Sequence, residues 1–125
     1  MQTDRTHAVT QELMVARTCA ELAQEAEAKG SFPRHLAASL AGAASDAAAS
    51  LKVFLSSTRA DTMPPDLVHR SFQAHSDLAA IAQFAGLVLT YTSTPRDAAY
   101  LSKIVRHTAN HAVECLNHVE EAIYR

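Results

Sequence analysis

The chain has no tryptophan, three glycines, two cysteines and seven aromatic residues among its 125. Each scarcity excludes something. With so few glycines there is no glycine-rich phosphate loop and no nucleophile elbow, and no CxxC pair is present. Few aromatics do not announce a pocket for a large cofactor such as haem. Basic residues are not in excess: 11 Lys and Arg stand against 13 Asp and Glu, a net charge of −2, so there is no electrostatic footprint for nucleic acid. No apolar run is long enough to span a bilayer. The first residues, MQTDRTHAVTQEL, lack a basic segment followed by an apolar core, so no secretory signal is read there and a cytoplasmic location is expected. In that compartment two cysteines are expected to stay free thiols. No Glu-x-x-His pair occurs, which excludes a di-iron carboxylate bundle, and no His-x-x-Lys-Gly phosphotransfer pattern occurs. Without a recognisable nucleophile and base, the chain is read as non-enzymatic.

Alanine is what the chain has: 25 of them, within a hydrophobic content of 48%. Alanine is the best helix former, and β-branched residues are few, so closely packed helices are favoured over sheets. Three breaks punctuate the chain. In KGSFP (29–33), Gly30 suits the residue after a helix, Ser31 an N-cap and Pro33 a first turn. STRADTMPPD (57–66) carries two prolines that fit a helix start. In TSTPRD (92–97), Thr94 is placed to cap, Pro95 to take the first helical position and Asp97 to close a capping-box-like pattern. Between the breaks the apolar residues recur at three and four, which predicts helices over about 5–29, 32–57, 64–91 and 95–124. Four helices of similar length with short connections make an all-α, antiparallel, up-down-up-down four-helix bundle, here a single domain over residues 1–125.

On the third segment the apolar arc is read as centred between Phe72, Leu78 and Ala82, with His75 near its middle. A histidine there needs a hydrogen-bond partner or a metal. Antiparallel pairing with the second segment puts it level with Asp46. Cys19 is read as a small core residue of the first segment.

The fourth segment contains HTANHAVECLNH (107–118), three histidines and a cysteine within twelve residues. At about 100° per residue Cys115 falls inside the apolar stripe, while His107, His111 and His118 lie together on its flank. His107 and His111 are four apart, and Cys115 follows four later, so the side chains stack along one strip. Imidazole and thiolate suit Cu(I) or Zn(II). A strip of amphipathic residues meeting water is the plainer reading of the same pattern. If metal binds, His111, Cys115 and His118 are the candidate ligands and His107 and His75 the auxiliaries. Affinity is then expected to fall below about pH 6, because thiolate and neutral imidazole are the binding forms.

HAVECLNHVEEAIYR (111–125) resembles the last helix of the four-helix-bundle copper storage proteins, whose CxxxCxxC runs line the bundle with thiolates and bind many Cu(I) ions. His111, Cys115 and His118 keep that spacing with two of the three thiols replaced by imidazoles. SLKVFLSSTR (50–59) resembles that family's second helix and turn. The resemblance implies the bundle fold and, with only two thiols left, one small site rather than storage. Two functions therefore stand side by side: a bundle holding one or few soft metal ions, or a metal-free bundle that self-associates through its alanine-rich faces. Either way a homo-oligomer, dimer or tetramer, is expected, because LAASLAGAASDAAASL (36–51) presents side chains small enough for close approach.

Overall fold

The computed structural model describes residues 9–57, 62–91 and 94–124. Four helices follow one another: α1 (Thr10–Lys29), α2 (Arg34–Leu55), α3 (Pro65–Tyr91) and α4 (Pro95–Tyr124). There is no strand among the described residues. The helices form a ring in which each packs on its sequence neighbours and α4 closes onto α1, the up-down-up-down four-helix bundle expected from the punctuation. The α1–α2 pairing is the loosest side of the ring.

Helix ends follow local chemistry. Gly30 ends α1 in the left-handed region at φ 67°. Its N–H reaches Glu27 O at 3.2 Å, and the Ser31 N–H reaches Ala26 O at 3.1 Å, so two otherwise unpaired carbonyls are satisfied. The expected cap at Ser31 does not form. Pro33 takes the N-cap position instead, at φ −58° and ψ 143°, with no side-chain cap. Its extended backbone turns the chain into α2 one residue before the helix begins, and its carbonyl accepts from the Ala37 N–H at 2.9 Å. The α4 start matches the sequence: the Asp97 N–H donates to Thr94 Oγ1 at 3.1 Å. The expected first turn from residue 5 lies partly outside the described residues.

The core is one continuous cluster through all four helices. Leu13, Leu51, Leu78, Ile81 and Leu116 fill it, and alanines such as Ala16, Ala44, Ala74 and Ala109 bring the backbones together. One expectation fails in α3. Phe72 is 54% exposed, and the buried stripe runs instead through Leu67, Ser71, Ala74, Leu78, Ile81, Ala85 and Val88. At 100° per residue that stripe is centred near Leu78, which leaves Phe72 on the outer side and His75 on a flank. Ser71 is tolerated at full burial because its hydroxyl donates to Leu67 O at 2.9 Å. Between α1 and α4, Arg106 Nε donates to Glu27 Oε2 at 2.6 Å, and that hydrogen bond, more than the bare charge, holds the Glu27 carboxyl below its usual range.

Candidate metal centre

α3 and α4 run antiparallel side by side, and their contact places three possible ligands together. Asp77 comes from α3, and His111 and Cys115 come one turn apart on α4. Among the described residues these are the three metal-ligating side chains that converge, with one donor atom from each within 4.8 Å of the others. His111 Nδ1 faces Asp77 Oδ2 at 2.5 Å. The carboxylate accepts there, so Nδ1 carries a proton and Nε2 is the ring nitrogen turned toward Cys115. His111 Nε2 and Cys115 Sγ lie 3.9 Å apart. The thiol also donates to Gln73 Oε1 at 3.7 Å.

Burial is graded across this group. Cys115 is 1% exposed, whereas the His111 side chain is 48% exposed and that of Asp77 18%. The site is closed toward the core and open past the imidazole. Burial pushes the Cys115 thiol up, the Asp77 charge pushes it further, and Arg70 works against both. Burial also raises the Asp77 carboxyl, against the lowering effect of its hydrogen bond from His111. At rest Cys115 is therefore a neutral thiol, hydrogen-bonded and screened from water.

The other candidates go elsewhere. His118 points to Asp66, with Nε2 at 3.3 Å from Oδ2 and both side chains well exposed. His107 is exposed one turn before His111 and stands outside the converging group. His75 lies about 160° around α3 from Asp77, and its Nδ1 donates to the Ala48 carbonyl of α2 at 2.9 Å. It is a helix-to-helix hydrogen bond, made level with Asp46 but to the backbone. Cys19 is 1% exposed in the α1 part of the core, its thiol pushed up to about 11 by burial, and both cysteines are free.

Asp77 and Gln73 were the residues that reading a single helix missed. A signal for them existed. Aligning α3 and α4 at their midpoints, Leu78 against Ala109 and Asn110, puts Asp77 level with His111 and Gln73 level with Cys115.

Comparison with protein-family models, curated proteins and solved structures gives no match at all. Function rests on the geometry of the chain itself. That geometry holds a thiol, an imidazole whose Nε2 faces it, and a carboxylate behind the imidazole.

Proposed function

We propose that this bundle binds one soft metal ion, Cu(I) or Zn(II), through Cys115 Sγ and His111 Nε2, with Asp77 orienting the imidazole. The observation that carries the reading is the two-sided use of His111: a carboxylate on Nδ1 and a thiol facing Nε2. Carboxylate–histidine–metal arrangements use the same device to fix the tautomer and strengthen the donor. The spacing fits. Two ligands of a tetrahedral zinc ion, with Zn–S about 2.3 Å and Zn–N about 2.05 Å, stand about 3.6 Å apart, close to the 3.9 Å between Sγ and Nε2. Gln73 Oε1, 3.7 Å from the sulfur, is a third donor atom within reach. The resemblance to copper storage proteins supports Cu(I), reduced to one ion.

The same three residues also have the order of a cysteine nucleophile, its base and the residue that orients the base. Burial speaks against that use. A resting nucleophile needs a depressed thiol pKa and access, and Cys115 has neither. A metal ion, by contrast, deprotonates a coordinating thiol outright. The protein is read as a non-catalytic metal binder. Self-association through the outer face of α2 belongs to the same proposal, since nothing in the metal group requires that face.

Competitive titration of untagged protein with Zn(II) and with Cu(I) tests the reading. One ion per chain is expected, lost in the Cys115→Ser, His111→Ala double variant and weakened roughly 10- to 100-fold in Asp77→Asn. His118→Ala and His107→Ala should bind as the parent does. Undiminished uptake by the double variant would overturn the proposal.

A further inference from the structure

The α3–α4 seam continues past the metal centre toward the start of α3. Arg70 lies seven residues before Asp77, two turns along the same face, and three before Gln73. Gln73 Oε1 accepts from the Cys115 thiol, so Arg70 stands one turn beyond the α3 residue that touches the sulfur. The Arg70 side chain is 38% exposed, yet its Nε is buried with no hydrogen-bond partner. The inner edge of the guanidinium is turned to protein and not to water. Asp66, one turn earlier, does not complete it. Its Oδ2 is 3.6 Å from Nε, beyond hydrogen-bond range, and the same oxygen already faces His118 Nε2 at 3.3 Å. A buried N–H without an acceptor is costly and needs a reason.

The neighbouring sulfur supplies one. Cys115 is 1% exposed. Burial is the largest cause that raises its thiol, and the Asp77 and Glu114 charges add to it; Arg70 alone acts the other way, by its charge and by a hydrogen bond. A neutral thiol is a weak acceptor, whereas an ionised one makes a charge-assisted bond with a guanidinium. A metal ion removes the proton of a coordinating thiol. The acceptor that suits Arg70 therefore exists when the ion is bound.

We infer that the Arg70 guanidinium donates to the Cys115 sulfur when a metal ion binds there, and so holds the thiolate ligand in place. The inference rests on the metal reading above and adds to it a residue that the ion itself does not touch. Arg70 is a positioning residue. Asp77 orients His111, and Arg70 does the same for Cys115, so each ligand on α4 has its own charged partner on α3. Hydrogen bonds to a ligating sulfur tune the metal as well as fix the ligand.

The test compares the whole protein with Arg70→Met, which keeps an apolar stem and removes the donors, at one fixed pH. Without metal the variant should unfold at the same urea concentration as the parent or a higher one. Nε has no hydrogen bond to lose, and the exposed pair with Asp66 contributes little. With Zn(II), chelator competition should show affinity weakened roughly 10- to 100-fold. Co(II) in place of Zn(II) gives a sulfur-to-metal charge-transfer band that reads the sulfur directly. A hydrogen bond lowers the energy of the sulfur lone pairs. The band should therefore move to longer wavelength in Arg70→Met and stay in place in His118→Ala. Arg70→Gln should shift it in the same direction, and serves if the Met variant fails to fold. Weaker Zn(II) binding with an unmoved band, or binding equal to that of the parent, would overturn the inference and leave the metal centre standing. A parent protein without a sulfur-to-cobalt band would overturn the metal reading itself, and this inference with it.

Discussion

At the residue scale the two cysteines differ in what raises their thiols, and this gives two predictions. Cys115 is raised by burial and by the charge of Asp77. It stays protonated through the neutral range, so binding an ion must expel its proton. Apparent Zn(II) affinity should then rise about tenfold per pH unit between roughly pH 6.5 and 8. This extends the dependence expected from the sequence alone, which stopped near pH 6. Chelator competition at several pH values, with proton release measured in weakly buffered solution, checks it. A flat profile would remove Cys115 from the ligand set.

Among the described residues Cys19 joins no metal-ligating group, and burial alone carries its thiol to about 11. In the unfolded chain an ordinary thiol titrates near 8.5, roughly. The native state therefore holds the proton longer. Its stabilising effect is complete below the unfolded value and is lost as pH rises through the folded one. Denaturant unfolding should show about 2–3 kcal/mol of extra stability loss between pH 8 and 11 in the parent relative to Cys19→Ala. Parallel curves for the two proteins would show that Cys19 does not titrate differently on folding.

At the scale of the helix, sequence and structure agree where one local interaction decides the outcome. Thr94 caps α4 because its hydroxyl reaches the Asp97 N–H, and Gly30 closes α1 because only glycine takes φ 67° without strain. An added Cβ at Gly30 would meet nothing within 4 Å, so the cost of Gly30→Ala is conformational alone. It should destabilise by about 1 kcal/mol, read as a lower urea midpoint at unchanged slope. Agreement fails where two helices decide. Phe72 fits an apolar arc on α3 taken alone, yet the neighbours α2 and α4 cover a stripe centred near Leu78 and leave the ring outside. The strip on α4 likewise depends on its neighbour. His107, His111, Cys115 and His118 share a flank of α4, but α3 supplies Asp77 to one and Asp66 to another, so one flank is divided between two partners. Glu12 is the third case. It reads as one acidic residue among several on α1, and only the register with Ser50 of α2 shows that it is buried.

At the scale of the molecule the question is what the outer faces do. No helix among the described residues is long and apolar enough to cross a membrane. Large exposed apolar side chains, Met14, Val53, Phe72, Leu87 and Tyr100, occur on all four helices. Singly placed side chains of this kind are ordinary on a soluble surface and do not themselves define an interface. The outer face of α2 is different in kind. Ala38, Gly42, Ser45 and Ala49 are all exposed and follow one another at four, three and four residues. Nothing lies within 4 Å of a side chain built at Gly42, so that face is open. Small residues at this spacing let a second helix approach closely, and a two-fold axis across α2 would close the assembly as a dimer. Light scattering on the eluting peak should give twice the 13.5 kDa of one chain, or four times for a tetramer. Gly42→Glu should return it to one chain without loss of helicity, because the added side chain and its charge meet their own copy across the axis. A parent protein that elutes at 13.5 kDa at micromolar concentration would show that the alanine-rich helix serves the packing of its own bundle, and that its outer stripe is a solvated surface.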